Sequence, residues 1–300
     1  MSDAPYGHQP GQPLSGLILS VLLAHRAAST PQLYELLSDE TSETTRLDER
    51  LEVLRAQQLA VHHGGAWYLT QDEVEVACSQ PECLGRRQAQ AITVPGSAAA
   101  HDALALTGLE LLFRRQHRAA YPRVPFGWDA PVVHRFRAHG SASALVGATA
   151  RLRTCLPRCR PLLAMDALVD LLPSAAQPQS VGARLRGFAR FEASGPPDTA
   201  RCSGPWRRWY PRAPYLLMVA RTRSGIGPLL EEIGLGVAGL LRRGRFGLAV
   251  LAELERHGAG APVWASPYEP ARRRWDYPAS VPDAPIGAER IGRHRRRSPG

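Results

Sequence analysis

Within the first seventy residues, three apolar helical stripes precede a glycine-gated hairpin, and no other stretch constrains the fold as tightly. Leu14, Leu17, Ile18, Val21 and Leu22 recur at helical spacing and predict a first helix with one apolar face. Ser29-Thr30-Pro31 then restarts the chain, with Ser or Thr as N-cap and Pro in the first turn of a short helix through Leu33, Leu36 and Leu37. Ser42 is positioned to cap a third helix that carries Leu47, Leu51 and Leu54 inward. The run from Gln57 to Thr70 reads as a β-hairpin, in which an apolar strand meets a Gly64-Gly65 turn and returns through Trp67 and Tyr68.

Three short helices closed by a two-stranded wing are the plan of a winged helix, here spanning residues 14–70, and many such modules read DNA. The outward residues best placed for base contact are Thr44, Thr45, Arg46 and Arg50, and His62 and His63 can reach phosphate from the wing. Charge pulls the other way. Through Glu75 the chain has eleven Asp and Glu against four Arg, and the third helix itself carries Asp48, Glu49 and Glu52. DNA affinity comes largely from neutralised phosphates, so an acidic reading helix also fits a winged helix used for dimerisation or for docking on a protein partner; a winged-helix transcriptional regulator is a further alternative.

The remainder of the chain has the opposite sign. The 300 residues carry a formal net charge of +10, so the 225 after Glu75 hold +17 against −7 before it. Such an asymmetry predicts a polyanion-attracting second part, or one paired against the acidic first part. All 37 basic residues are Arg; Lys and Asn are absent. Codons for both are A-rich, which points to a very GC-rich genome and makes part of the Arg content mutational. The absence of Lys excludes any Lys nucleophile, base or charge clamp. Five Arg fall in the last eleven residues, including Arg295, Arg296 and Arg297, so residues 285–300 read as a basic, disordered tail able to touch phosphate.

Five Cys in a chain of this length argue against a secreted disulfide scaffold. The spacings Cys78/Cys83 and Cys155/Cys159 are wider than zinc knuckles use, so zinc is not expected. No apolar stretch reaches membrane-span length, and no basic segment precedes Leu14 as in a signal peptide, so a cytoplasmic protein without a membrane partner is expected.

Residues 71–96 read as a linker, from the Pro and Gly punctuation after Gln71. A helix follows from about Ser97 to Arg118, and Tyr121 to Gly140 reads as irregular. Short apolar runs at Leu145–Leu156, Leu162–Leu172, Leu185–Ala193, Tyr215–Ala220, Phe246–Leu251 and Val263–Ser266 are expected strands, with a helix from about Ile226 to Arg243. These elements predict an α/β domain with a mixed sheet over 97–268, and an α+β fold class for the whole chain.

Asp166 opens the second run and Glu192 ends the third. An acid on each of two adjacent strands is how many nucleases hold Mg or Mn, since carboxylates supply hard oxygen ligands. Asp170 and Asp198 are further candidate ligands and Arg190 a substitute cation, although Arg stays protonated and is a poor base. The alternative is that Asp166 and Glu192 are acids satisfied by Arg partners, and this is the preferred reading. Ser203 to Arg212 interleaves Arg207 and Arg208 with Trp206, Trp209 and Tyr210. The strip can stack bases, or serve as an interdomain plug with Arg stems packed over buried rings. Arg272-Arg273-Arg274-Trp275 offers the same choice.

The order of these pieces resembles the replication-relaxation family of plasmids and integrative elements. The matching parts are the N-terminal module, the His101-Asp102-Ala103-Leu104-Ala105-Leu106 helix start, the Asp166 run, Phe191-Glu192 and the strand from Tyr215 to Val219. The resemblance implies a DNA-binding winged helix joined to a restriction-endonuclease-like domain, acting in replication or mobilisation of mobile DNA. An active nuclease would carry Lys two residues beyond the second acid; that place is Ser194. The expectation is therefore DNA binding without retained catalysis. The alternative is a metal-dependent nuclease using Asp166 and Glu192. A homodimer fits because one small module reads few bases.

Overall fold

The first helix, α1 (Leu14–His25), is apolar on nearly every side, and the chain wraps around it. In a computed structural model, which describes residues 14–38, 45–79, 96–137, 143–155, 164–173, 178–193, 205–226, 245–266 and 269–275, α1 touches four other helices. Arg26, at a φ of 69°, closes it by donating its backbone N–H to Leu22 O at 2.8 Å. β1 (Ala27–Ser29) follows, then α2 (Thr30–Leu37). Ser29 caps α2 with Gln32 answering in a capping box, and Pro31 lies in the first turn. α3 (Leu47–Ala56) buries Leu47, Leu51 and Leu54. Its start differs from the expectation: Arg46 occupies the cap position with no side-chain cap, and Ser42 lies outside the described residues.

β2 (Val61–His63) and β3 (Ala66–Tyr68) form the expected hairpin. Gly64 and Gly65 both have positive φ (60° and 78°), which a two-residue turn matched to strand twist requires. β3 also pairs with β1, giving an antiparallel sheet in the order β1-β3-β2. The segment read as a linker starts instead as a helix, α4 (Gln71–Ser79). Val74 and Ala77 bury against α1, while Asp72, Glu73 and Glu75 crowd the same short stretch and obscure its apolar stripe in sequence.

α5 (Ala98–Ala120) belongs to both halves of the molecule. Ser97 caps it. Ala100, Ala103 and Leu111 pack toward the N-terminal unit, and Leu109, Leu112 and Phe113 pack on the large sheet. Thr107 Oγ1 donates to Ala27 O at 2.8 Å, and Gln32 Nε2 donates to Leu104 O at 3.1 Å. Glu110, fully buried, pairs with Arg114 at 2.9 Å and lies 3.4 Å from His25. Arg115 donates through Nε and Nη2, one edge of its guanidinium, to the two carboxylate oxygens of Glu35.

The large sheet runs β12-β11-β10-β9-β8-β7-β4, from β4 (Gly127–Asp129), β7 (Ala150–Cys155), β8 (Ala164–Leu171), β9 (Tyr215–Ala220), β10 (Phe246–Val250), β11 (Trp264–Ser266) and β12 (Glu269–Arg273). β8, β9 and β10 are parallel and the outer strands antiparallel, so the sheet is mixed and the chain is α+β as expected. One face packs on α5 and on α7 (Leu251–His257). There Phe113 sits among Trp128, Trp264 and Trp275. Gly247 admits this packing, since a Cβ would lie 3.1 Å from the Trp264 ring. The other face is covered by α6 (Pro178–Ala193), by the two-stranded sheet of β5 (Val132–Arg137) with β6 (Ser143–Ala148), and by Trp206 and Tyr210.

Three sequence expectations change here. Leu185–Ala193, read as a strand, lies inside α6. Its residues Leu185, Gly187, Ala189, Phe191 and Ala193 alternate as in a strand, but the buried set Val181, Leu185, Phe188 and Ala189 follows the helical period. Tyr121–Gly140, read as irregular, contains β4 and β5; in β5 the inward set is Val132, His134 and Phe136, and the polar His hides the alternation. Leu145–Leu156 divides into β6 and β7 at Thr149, whose hydroxyl accepts from Leu171 N at 2.8 Å and donates to Val169 O at 2.9 Å. The helix expected from Ile226 to Arg243 falls outside the described residues after Ile226, and so does the tail. Among the described residues no helix is long and apolar enough to cross a membrane.

Candidate nucleic-acid interface

Helix α3 turns its three leucines inward, so its polar positions face solvent. Thr45 and Arg46, in the turn that leads into it, and Arg50 on its second turn are all exposed. Thr44 lies outside the described residues. The acids on this helix are partly occupied: Glu52 pairs with Arg55 at 2.6 Å, and Asp48 accepts a hydrogen bond from Tyr34 at 3.0 Å. Among the described residues, Arg46 and Arg50 have no ion-pair partner. On the hairpin, His62 and His63 are exposed, and His62 stacks on Trp67 at 4.5 Å between ring centroids. Trp67 is anchored by its indole N–H donating to Thr30 Oγ1 at 3.0 Å, so the hairpin is fixed to the N-terminus of α2.

The Arg-aromatic strip takes the plug form. Trp206 and Tyr210 are buried and Trp209 is half-buried, so ring faces for base stacking are covered. Arg207 and Arg208 are exposed, each lying over its neighbouring indole at 5.4 and 5.5 Å. Trp275 is buried too, with its ring edge-on to Phe113. Arg295, Arg296 and Arg297 lie outside the described residues.

The acids singled out for metal chemistry are not arranged for it. Asp166 sits on β8, buried, and Oδ1 accepts from Arg151 Nε at 2.9 Å and Nη2 at 2.8 Å. Arg153, its cross-strand partner on β7, adds a second guanidinium at 3.6 Å. Asp170, two positions along the same face, accepts from Arg184 of α6 at 2.7 and 2.9 Å. Burial pushes its carboxyl up, and the Arg184 charge opposes that shift. Glu192 is buried on α6 and not on a strand, which overturns the picture of two acids on adjacent strands. Arg190 is exposed on α6, and Asp198 lies outside the described residues. Among the described residues no group of three or more His, Cys, Asp or Glu is placed to hold a metal ion. Among the described residues, Asp166 is engaged by Arg151 and Glu192 lies on a helix, so these two acids do not form the adjacent-strand carboxylate pair that was expected.

Asp166 belongs instead to a cluster that the sequence did not disclose. Arg151 lies over the Tyr210 ring at 4.6 Å, and Tyr210 Oη shares a 2.6 Å hydrogen bond with His134 Nε2. His134 also stacks on Phe191 and meets Trp209 at 4.6 Å. Burial, and then the Arg151 charge, push the imidazole down to about 4, and burial pushes the Tyr210 phenol up. Near neutral pH the cluster therefore holds a neutral imidazole hydrogen-bonded to a neutral phenol. The cluster clamps residues 205–210 onto the sheet, with Arg207 and Arg208 facing outward. The only hint of it in sequence is the Arg-x-Arg of β7 beside the Asp166 run, and pairing those two strands required their register.

No family model matches the chain, and no curated protein or solved structure matches it either.

Proposed function

We propose that this chain is a DNA-binding protein acting in replication or mobilisation of a plasmid or integrative element. On this reading residues 14–70 are a winged helix, and the large sheet belongs to a restriction-endonuclease-like domain that no longer cuts. The observation that carries the DNA-binding part is the exposure of Thr45 and Arg46 in the turn leading into α3 and of Arg50 on it, with His62 and His63 exposed on a hairpin anchored through Trp67. The excess positive charge of the remaining chain supports it. The mobile-element part rests on the resemblance in element order. The loss of cutting is supported by Arg151 holding Asp166 and by the helical position of Glu192.

The test is fluorescence anisotropy with duplex DNA across a salt series, on the full chain and on a shortened chain ending at Ala284. Binding that persists in the shortened chain with a steep salt slope supports the proposal. Binding lost with the tail reduces the protein to a basic arm, and no binding by either chain sinks the reading. Magnesium or manganese with plasmid DNA checks the nuclease alternative, with Asp166→Ala and Glu192→Ala as controls. Glu49 and Asp48 on α3 favour a second reading, a protein-docking module. Under it, Arg46→Glu with Arg50→Glu leaves DNA affinity unchanged.

A further inference from the structure

We infer that the face of the large sheet covered by α6, β5 and residues 205–212 is a phosphate-binding surface for duplex DNA and the main source of the chain's DNA affinity. The inference rests on the DNA-binding reading above and locates its strongest contact away from α3. α6 buries Val181, Leu185, Phe188 and Phe191, which leaves Ala183, Arg186 and Arg190 on one outward stripe. Arg207, Arg208 and Arg212 are exposed on the neighbouring segment, and Arg135 is exposed on β5. Aromatic contacts bring the three pieces together. Phe191 of α6 meets Trp209 at 5.9 Å, His134 of β5 meets it at 4.6 Å, and Arg208 lies over it at 5.5 Å.

Among the described residues the outward charges of these three pieces are arginines, and the exposed Asp129 of β4 lies at their edge, 4.0 Å from Arg151. In β5, β6, α6 and residues 205–212 the described acids reduce to Glu192, which is buried. Asp166 and Asp170 beneath are buried and held by arginines. Codon bias toward Arg acts on the whole chain, yet α3 mixes both signs, so composition alone does not make the face. Its chemistry selects the ligand. Trp206 and Tyr210 are buried and Trp209 is half-covered, so no open ring platform invites the unstacked bases of a single strand. Arg forks match phosphate geometry, and duplex DNA presents phosphates at the higher linear density. Among the described residues Val133, 63% accessible, is the lone large apolar side chain left exposed, far short of the aromatic anchors a protein partner would need.

The test uses the full chain and a fluorescent random-sequence duplex, with the slope of log affinity against log salt as readout. Replacing Arg135, Arg207, Arg208 and Arg212 by Gln should lower the slope by about 3 to 4, since each phosphate contact contributes about 0.9. Arg207→Gln with Arg208→Gln alone should remove about half of that, and both residues are exposed, so this variant keeps its thermal midpoint. An unchanged slope in both variants overturns the inference. So does a single strand of equal length that binds as tightly as the duplex, or polyglutamate that binds more tightly. If only Arg46→Gln with Arg50→Gln abolishes binding, this inference falls and the proposed function stands. If the unaltered chain binds no duplex, both fall.

Discussion

Helices α3 and α6 are built alike and finished differently. Each buries an apolar stripe at helical spacing, Leu47, Leu51 and Leu54 in one, Leu185, Phe188 and Phe191 in the other. Outward, α3 sets Arg46, Arg50 and Arg55 against Asp48, Glu49 and Glu52, while the described outward charges of α6 are all Arg. The acids follow the same division. On α3 they lie at the surface, and Glu52 pairs locally with Arg55. Under α6 they lie below the surface, where Asp166 and Asp170 hold Arg151 and Arg184. A mixed surface orients a partner and rejects wrong ones, whereas a uniform one supplies affinity. On the proposed DNA-binding reading, the mixed charges of α3 serve positioning and the arginines over the sheet serve attraction, with α5 packed against both units.

Breaking the buried side of that contrast should give the largest effect. Asp166→Ala leaves Arg151 mostly buried without its main carboxylate, which should cost about 3 kcal/mol in urea unfolding, toward the lower end of such losses. A variant as stable as the parent would show that the pair does not hold the sheet face together.

A second effect is pH-dependent. His134 has a folded value of about 4 against an ordinary value near 6.5, so the unfolded chain takes up a proton that the folded chain refuses. The stabilisation due to neutral His134 is complete above about pH 6.5 and is lost as pH falls toward 4. Urea midpoints measured across that window should drop in the parent and drop less in His134→Gln. Parallel profiles would remove His134 from the account.

The smallest effect belongs to α3. Glu52→Ala breaks an exposed pair and should change stability by no more than about 0.5 kcal/mol. If the proposed DNA-binding reading holds, it should also strengthen duplex binding slightly, by removing one negative charge beside Arg50. A weaker affinity would mean that Glu52 contacts a partner and that α3 is a docking surface.

Much of the fold was legible because its signals are local. The Ser29 cap, the Pro31 turn, the Gly64-Gly65 hairpin and the long α5 each rest on neighbours within a few residues, and each appears where the residues place it. The candidate site was less legible. Thr45, Arg46 and Arg50 are exposed as expected, since Leu47, Leu51 and Leu54 define the inward side of α3. Whether Trp206 and Trp209 stack bases or plug the core depended on what lay beneath them. Glu192 was misplaced because Leu185 to Ala193 fits a period of two nearly as well as one of 3.6, and Phe188 alone breaks the tie.

The sequence by itself determined the Ser29-capped helix, the hairpin, the opposed charges of the two parts and the exclusion of any lysine chemistry. Only the tertiary structure decided that Asp166 answers Arg151, that His134, Tyr210 and Phe191 share one cluster, and that the arginines of α6 and residues 205–212 face outward together. The reason is distance along the chain. His134 and Tyr210 are 76 residues apart, and no local periodicity carries the register that brings them within 2.6 Å.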